Sequence, residues 1–346
     1  MSTPPPPPAP LAPPSCSDGP IWDAFLAAFH APALVVADEL GLFAAIALTP
    51  ATAAELASRL DLELRAVEAL SGMMCALGFL FVADGRFQLT DVGRTYLTPT
   101  SPYYWGGMLR RIRDNPLDCR RLLASIRGGR AAADGRVTGI WEAKAPPAEA
   151  MVAFTHAMHA HSFALAMRVV PAFGLGGVAR LLDVAGGSGS YSIAAAYHHP
   201  ALRCTLLDLP AVCAVAEAYA ADHGVGARIT AAPANMFTDP WPGDHDRVLM
   251  SDIFHDWDDE RCRWLAARAA GALRAGGRLI VHEMLLTDAL DGPPAAAAYS
   301  MAMLFSTQGR QRSGRELAAL LSAAGLVDIA ITMTSGGYAA VSGAAP

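Results

Sequence analysis

The sequence contains no C-x-x-C pair among its six cysteines, which are Cys16, Cys75, Cys119, Cys204, Cys213 and Cys262. Zinc sites and redox motifs need closely spaced pairs, and disulfide frameworks are typical of short secreted chains. The scattered spacing therefore favours free thiols and a cytoplasmic protein.

The chain also lacks clustered basic residues and long apolar runs. Its 26 Lys and Arg are outnumbered by 32 Asp and Glu, which gives a net charge of −6. This balance argues against a nucleic-acid partner, because phosphate contacts need grouped Lys and Arg side chains. No unbroken apolar run approaches the roughly 18 residues of a membrane helix, so no membrane partner is expected.

The first 19 residues lack the basic region and the apolar core of a secretory signal. Their prolines favour extended polyproline II, which cannot join a packed core, so residues 1–19 are predicted to be a disordered tail. The 346 residues suit two domains, and 53% of them are hydrophobic, which is ample for two cores. We assign 20–110 to an N-terminal domain, 111–175 to linking helices and 176–346 to a C-terminal domain.

The N-terminal domain is predicted to be mostly helical. Apolar residues between Ile21 and Leu40 recur at helical spacing and are too numerous for one exposed face, which indicates burial against a partner subunit as well as the same chain. A helix–turn–helix followed by a hairpin wing is predicted at 52–60, 63–77, 79–82 and 86–89. The second of these helices has one Arg, two Glu and no basic stripe. We therefore interpret the winged helix as a dimerisation module rather than a DNA-binding one.

The stretch Leu181–Tyr191 organises the C-terminal domain. Its sequence, L-L-D-V-A-G-G-S-G-S-Y, predicts a buried strand, a glycine turn and a helix that starts at Ser190. This is the opening unit of a nucleotide-binding α/β fold, where backbone must approach the ligand closely. A second strand is predicted at 203–207, and Asp208 follows it at the position where such folds hold ribose hydroxyls.

The glycine pattern favours S-adenosylmethionine over a dinucleotide. The run A-G-G-S-G departs from the G-x-G-x-x-G spacing that rests a pyrophosphate on a helix N-terminus. Asp183 stands in the strand just before it. A carboxylate there would repel a pyrophosphate but suit a ligand that carries an ammonium and a sulfonium.

Strands and helices continue to alternate after Asp208. Strands are predicted at 228–232, 247–251 and 278–286, helices at 211–223 and 261–274, and an antiparallel hairpin at 327–333 and 338–342. Gly276-Gly277 are predicted to close the second helix. Seven strands that end in such a hairpin predict an α/β fold with a Rossmann-like, seven-stranded methyltransferase sheet.

Histidines stand out in two places. His255 occurs in D-I-F-H-D-W-D-D-E, directly after the fourth predicted strand, at the edge where ligand clefts of open α/β sheets lie. The stretch 141–173 is predicted to be mostly helical and contains F-T-H-A-M-H-A-H-S. There Phe154, Met158 and His161 share one helix face, whereas the other two histidines do not. No two of the three have the i, i+4 spacing of a helical zinc pair.

These motifs resemble those of small-molecule O-methyltransferases related to plant caffeate and bacterial polyketide methyltransferases. The resemblance rests on L-L-D-V-A-G-G-S-G, L-L-D-L-P, N-M-F and, most specifically, H-D-W-D-D-E. It covers the C-terminal half and, more loosely, the winged helix. It implies S-adenosylmethionine as cofactor, a small-molecule acceptor and a homodimer formed through the N-terminal domain.

The resemblance also implies roles for individual residues. His255 would be the general base, with Glu283 orienting it, since an imidazole titrates near neutrality whereas a phenol has a pKa of about 10. The cofactor side would comprise Asp183, Gly186, Gly187, Asp208, Leu209, Asn235, Met236, Phe237 and Ser251. The acceptor side would comprise Phe154, Met158, His161, Met303 and Gln311.

Three positions depart from the usual pattern of that family. Gln311 stands before Arg312-Ser313 where an acid is usual, Asn235 replaces a frequent Asp, and Ser251 replaces a frequent Lys. Asn235 can still accept a hydrogen bond from an adenine amino group. We therefore expect an intact cofactor site and an altered acceptor site.

Other functions fit the same residues. A base that deprotonates a phenol also activates its ortho carbon, and an α-keto acid enol needs a similar base, so C-methylation stays open beside O-methylation. A metal-assisted variant would need several histidines to gather, namely His159, His161, His255 and His282. A winged-helix regulator that senses a small ligand is disfavoured by the charge of the would-be recognition helix.

Overall fold

The computed structural model describes residues 14–128 and 147–346. The chain divides into two compact units, residues 1–101 and 102–346. Most of the predicted tail, and the first part of the helical stretch predicted from Trp141, lie outside the described residues.

The first unit is mostly helical, as predicted. Thr52 begins the fourth helix through a capping box with Glu55, in which each side chain bonds the other's backbone N–H. The hairpin turns at Asp84 and Gly85, whose φ values of 50° and 70° suit a type I′ turn. Its elements are α1 (Gly19–Ala27), α2 (His30–Glu39), α3 (Leu42–Leu48), α4 (Ala53–Leu60), α5 (Leu64–Ala76), β1 (Leu80–Ala83), β2 (Arg86–Leu89) and α6 (Asp91–Tyr96).

Helix α1 presents an apolar face that its own chain leaves uncovered. Four large apolar side chains in α1 or just after it are more than half exposed, namely Ile21, Trp22, Phe25 and Phe29. The burial predicted against the same chain is therefore not found for α1. By length and composition alone, Gly19–Glu39 would also be able to cross a membrane. Asp23, His30 and Asp38 interrupt its apolar residues, so the stretch contains no unbroken apolar run of that length.

The second unit contains the mixed sheet and its flanking helices. Its helices are α7 (Gly106–Asp114), α8 (Cys119–Gly128), α9 (Ala148–Val169), α10 (Ser190–His198), α11 (Pro210–Asp222), α12 (Asp259–Ala272), α13 (Pro294–Ser306) and α14 (Gly314–Ala323). Its strands are β3 (Arg180–Val184), β4 (Arg203–Asp208), β5 (Ile229–Pro233), β6 (His245–Ser251), β7 (Leu273–Met284), β8 (Val327–Met333) and β9 (Tyr338–Ala344).

The seven strands lie in the order β5-β4-β3-β6-β7-β9-β8. Strands β3 to β7 pair in parallel, and β9 runs antiparallel to both β7 and β8. This arrangement confirms the predicted Rossmann-like sheet that ends in a hairpin. The carboxyl ends of β3, β4 and β6 meet at one edge, which brings the glycine turn, Asp208 and the H-D-W segment to the same side of the sheet.

Both faces of the sheet are buried at its central strands. Leu182 and Val248 pack towards α12 and α14, while Leu181 and Leu249 pack towards α9 and α10. Successive strand residues point to opposite faces, so continuous apolar strands supply two cores at once. The sheet edge that carries the site is thereby held on a rigid scaffold.

One predicted boundary is wrong. Helix α12 ends at Ala272, and Gly276-Gly277, which were predicted to close it, lie inside β7. Leu273 pairs with His245, and the register then shifts before the next pairs form. The glycines occupy this irregular start of the strand, where Gly276 donates its N–H to the Ala345 carbonyl and Gly277 accepts the Ala345 N–H, so long-range pairing decides the conformation.

Candidate active site

The glycine turn joins β3 to α10, and at Gly186 it leaves no room for a side chain. A Cβ at Gly186 would lie 2.9 Å from the Asp183 carboxylate and 3.0 Å from Leu206. Gly187 has a φ of +57° and donates its N–H to Asp208 Oδ2 at 2.9 Å. Both predicted cofactor-side glycines thus lie between the two carboxylates at the sheet edge.

Two buried carboxylates flank this turn. Asp183 accepts a hydrogen bond from Ser192 Oγ at 2.7 Å, and burial, together with the nearby Asp208, raises its pKa to about 7. Burial also raises the pKa of Asp208 to about 6, although the N–H groups of Gly187 and Leu209 stabilise its charge. The Leu209 N–H lies 2.7 Å from Oδ1. Two acids kept from water in this way are complementary to a cation, so the site fits a ligand with an ammonium and a sulfonium.

Asn235, Met236 and Phe237 form a turn after β5. Asn235 Oδ1 accepts the Phe237 N–H at 2.9 Å, and the Met236 carbonyl accepts a bond from Trp241 Nε1 at 2.8 Å. The Phe237 ring packs edge-on against Trp257 with centroids 4.7 Å apart. Asn235 keeps a second lone pair and its amide group for a ligand, whereas the ring of Phe237 is committed to packing.

Ser251 faces the adjacent strand. Its Oγ lies 3.1 Å from His282 Nδ1, which is also 3.2 Å from the Tyr191 hydroxyl. Burial lowers the pKa of His282 to about 4, so this imidazole is neutral at physiological pH. The structure therefore shows Ser251 bonded to a buried histidine, and its cofactor contact stays a prediction.

His255 lies on a short helical turn that follows β6, and its ring is buried. Its Nδ1 is 3.0 Å from Glu283 Oε2, at the end of the neighbouring strand β7. The other oxygen, Glu283 Oε1, accepts the N–H groups of Ile253, Phe254 and His255 at 3.1, 2.9 and 3.3 Å. The carboxylate is thus fixed by backbone, and its other oxygen faces the imidazole as an ion-pair partner.

Three carboxylates surround this imidazole. Besides Glu283, Asp252 Oδ1 lies 3.7 Å from Nδ1 and Asp256 Oδ1 lies 3.7 Å from Nε2. Burial disfavours the imidazolium, but the three acids outweigh it and raise the pKa of His255 to about 10. Burial also raises the pKa of Asp252 to about 7 and that of Asp256 to about 6. The site by itself therefore favours protonated His255, and a second positive charge brought into it would favour loss of that proton.

Gln311 contacts the same imidazole. Its side chain is fully buried, and Nε2 lies 3.1 Å from His255 Nδ1. A neutral amide therefore occupies the position where the family pattern has an acid. The number of charges that act on His255 is lower by one as a result.

Aromatic side chains approach His255 from two helices. Tyr299 of α13 packs edge-on against His255 with centroids 5.2 Å apart. His161 of α9 lies 6.4 Å from Tyr299 and 6.2 Å from Trp105, measured between ring centroids. Burial and the charge of His255 lower the pKa of His161 to about 4, so it is neutral. The structure thus places His161 near His255, while Met303 lies one helical turn beyond Tyr299.

Sequence reasoning missed Tyr299, Trp105 and Arg111. Tyr299 precedes Met303 by four residues, the spacing of one helix face, and this signal could have identified it. Trp105 and Arg111 precede α9 by dozens of residues, and only the packing of α7 on α9 brings them to Phe154 and His161.

The histidines considered for a metal do not gather. His159 Nδ1 lies 3.1 Å from Ser188 Oγ in the glycine turn, and His282 lies against Ser251. Residues 159 and 161 leave a helix in different directions, which separates their rings. Within the described residues, the group whose ligand atoms approach one another closely enough for a metal is Asp252, His255 and Glu283.

Known families match both parts of the chain. An O-methyltransferase domain matches residues 120–327, and an O-methyltransferase dimerisation domain matches residues 22–99. The first match covers more than half of the chain.

Individual proteins resemble nearly all of it. The chain is 36% identical over 300 residues to 3-hydroxy-5-methyl-1-naphthoate 3-O-methyltransferase of Streptomyces sahachiroi, a match that spans 86% of each protein. It is 29% identical over 322 residues to acetylserotonin O-methyltransferase of Gallus gallus, across 90% of this chain and 92% of the relative. Human N-acetylserotonin methyltransferase, in complex with S-adenosylmethionine, has the same fold, with a TM-score of 0.81 at 24% identity across 95% of this chain and 98% of that one. The chain therefore belongs to the O-methyltransferase family.

Proposed function

We propose that His255 is the general base and Glu283 its orienting partner in the transfer of a methyl group to a hydroxyl of a small aromatic acceptor. The methyl donor of this O-methyltransferase is S-adenosylmethionine. The observation that carries the proposal is the buried His255–Glu283 pair, whose Nδ1 and Oε2 atoms are 3.0 Å apart. It lies at the sheet edge to which the glycine turn also belongs.

The donor would be held at the ends of β3, β4 and β5. When bound there, S-adenosylmethionine supplies an electrophilic methyl group on a cationic sulfur. The bare backbone at Gly186, the buried Asp183 and the half-buried Asp208 fit its shape and its charge. The other residues that we propose for this side are Gly187, Leu209, Asn235, Met236, Phe237 and Ser251.

His255 would remove the acceptor's proton. With Nδ1 held beside Glu283 and Gln311, the lone pair of Nε2 would take the proton as the hydroxyl oxygen attacks. Asp256 Oδ1, at 3.7 Å from Nε2, is too distant to hydrogen-bond this atom. Glu283 then stabilises the imidazolium, which makes the pair a proton acceptor placed at a defined atom.

The acceptor would lie among aromatic and apolar side chains. Tyr299 and His161 are near His255, and aromatic rings prefer stacked or edge-on partners at 4.5–7 Å, roughly the separations found here. The Streptomyces relative is named for a hydroxynaphthoate, a flat aromatic acid. We therefore propose a phenolic acceptor, lined by Phe154, Met158, His161, Met303 and Gln311.

We propose methylation of oxygen and not of carbon. The named relatives are O-methyltransferases, and no contact among the described residues favours attack by carbon over attack by oxygen. The product of the reaction distinguishes the two directly. Incubation with methyl-labelled donor and a panel of phenols, followed by NMR, should place the label on oxygen, whereas label on a ring carbon, or no product with any phenol, would contradict the proposal.

We infer that the protein is a cytoplasmic homodimer. The dimerisation-domain match at residues 22–99 includes most of the exposed apolar face of α1. A second copy would bury these side chains, which are costly to leave in water. In this arrangement 20–110 would serve dimerisation, while 111–175 and 176–346 would supply the acceptor and donor sides.

Donor binding should release protons. Asp183 and Asp208 have pKa values raised to about 7 and about 6, and a bound cation would lower both. We therefore expect affinity for S-adenosylmethionine to weaken as pH falls from about 8 to about 5.5. Calorimetry in phosphate and in Tris should give different binding enthalpies. Equal enthalpies at pH 6.5, with an affinity independent of pH, would contradict a role for these acids.

A carboxylate at position 311 should impair the base at neutral pH. In Gln311→Glu a negative charge would replace an amide that lies 3.1 Å from His255 Nδ1, and the pKa of His255 would rise further. Each unit of increase lowers the unprotonated fraction about tenfold below the pKa, so kcat near pH 7.5 should fall by roughly that factor and recover as pH rises. Gln88→Glu, in the hairpin of the first unit, adds the same charge and serves as control. An unshifted pH profile in Gln311→Glu would count against His255 as the titrating group.

A further inference from the structure

Arg111 extends from α7 over the acceptor-side face of α9. A Cβ at Gly107 would lie 3.1 Å from the His156 carbonyl oxygen, which shows how closely the two helices approach. Arg111 is one turn further along the same face of α7, and its guanidinium carbon lies 4.8 Å from the centroid of the Phe154 ring. Its neighbours Arg110 and Arg113 are exposed, whereas Arg111 is partly buried.

The guanidinium has no acidic partner among residues 14–128 and 147–346. No carboxylate lies within 4.0 Å of it, in contrast to Arg113, which pairs with Asp114 at 2.8 Å. Burial lowers the pKa of Arg111. Among the described side chains, an ionised Tyr299 would favour the guanidinium cation. Burial, however, raises the pKa of that phenol well above 10, so Tyr299 is neutral and supplies no negative charge. Within the part of the chain that the structure describes, Arg111 is thus a partly desolvated cation without a counter-charge.

The two ends of the acceptor region have opposite charge. Tyr299 connects them, since it packs on His255 and also lies near Arg111. At the His255 end, Asp252, Asp256 and Glu283 would repel an anion. A ligand with a hydroxyl at one end and an anionic group at the other matches this polarity in one orientation only.

We propose that Arg111 binds a carboxylate on the aromatic acceptor, so that the preferred substrates are hydroxylated aromatic carboxylic acids. This inference rests on the proposed function, because it requires an aromatic hydroxyl at His255. Arginine presents a planar fork of donors that matches a carboxylate in bidentate geometry, and the Phe154 face would support the guanidinium from the other side. Arg111 would therefore set both the choice and the orientation of the acceptor.

Binding measurements with a matched pair of acceptors test this assignment. We would titrate the holoprotein, saturated with S-adenosylhomocysteine, with 3-hydroxy-1-naphthoate and with 3-hydroxy-1-naphthamide. The wild-type protein should bind the acid about 10- to 100-fold more tightly than the amide, as expected for hydrogen bonds between charged groups. Arg111→Gln should reduce this ratio to near unity, and Arg111→Lys should keep part of it, because charge remains while the fork is lost.

The control is Arg110→Gln, which removes the adjacent exposed arginine and should leave the ratio unchanged. If Arg111→Gln does not fold, the wild-type ratio and Arg111→Lys still decide the matter. A wild-type ratio near unity, or a ratio that survives in Arg111→Gln, would overturn the assignment. If the assignment is overturned but the wild-type protein methylates the hydroxyl oxygen of the naphthamide, the proposed function still holds. A failure to methylate any phenol would reject that function itself.

Discussion

Replacing His255 by alanine should lower kcat by about 10²-fold or more without weakening binding of the donor. A positioned general base contributes typically 10²–10⁴-fold, and the imidazole that we propose for this role lies 3.0 Å from Glu283. The acids that we propose for the donor lie on other strands, and loss of the imidazolium removes a like charge, so S-adenosylmethionine should bind at least as tightly. Single-turnover rates measure the first effect, and calorimetry measures the second.

The pH profile gives a sharper test of the same residue. The base acts when it is unprotonated, so the wild-type rate should rise with pH. A pKa near 10 in the free protein should fall once the cationic donor is bound, which brings the rise towards neutrality. In His255→Ala this rise should be replaced by the ionisation of the acceptor itself. His198→Ala, at an exposed histidine, is the control, and near wild-type turnover in His255→Ala would remove His255 from the mechanism.

Asp208→Ala should weaken binding of S-adenosylmethionine by about 10²-fold or more. Hydrogen bonds to a charged group are each worth about 1.5–3 kcal/mol, and a ribose presents two hydroxyls to such a carboxylate. The variant also removes the oxygens that accept the N–H groups of Gly187 and Leu209, at 2.9 and 2.7 Å, so the glycine turn loses its brace. Calorimetric titration with the donor measures the loss.

Two further variants separate charge from folding in that experiment. Asp208→Asn keeps one oxygen that can accept hydrogen bonds but removes the charge, so it should bind the donor with intermediate affinity. Asp222→Ala removes an exposed acid at the end of α11 and should bind like wild type. Wild-type affinity in a folded Asp208→Ala protein would mean that the cofactor site lies elsewhere.

Local signals predicted the elements of the site because each depends on residues that are close in sequence. Each signal lies within one strand and the turn that follows it. The three signals are the apolar run before the glycines, the acid at the end of β4 and the H-D-W segment after β6. The prediction for the start of β7 failed for the complementary reason, since Gly276-Gly277 resemble a helix end and become strand only through hydrogen bonds with the distant Ala345. His159 shows the same limit, because its contact with Ser188 joins α9 to the glycine turn.

The sequence by itself determined that this is a Rossmann-like methyltransferase with a buried acid beside its glycine turn and a histidine at the sheet edge. Periodicity, turn chemistry and motif spacing depend on residues that are close in sequence, so the sequence alone predicts them. Only the tertiary structure decided how Glu283 is anchored by three backbone N–H groups, that Asp252 and Asp256 also flank the imidazole, and that Tyr299 and Arg111 lie beyond it. Burial and distance set the strength of a charge, and both arise when segments more than a hundred residues apart pack together.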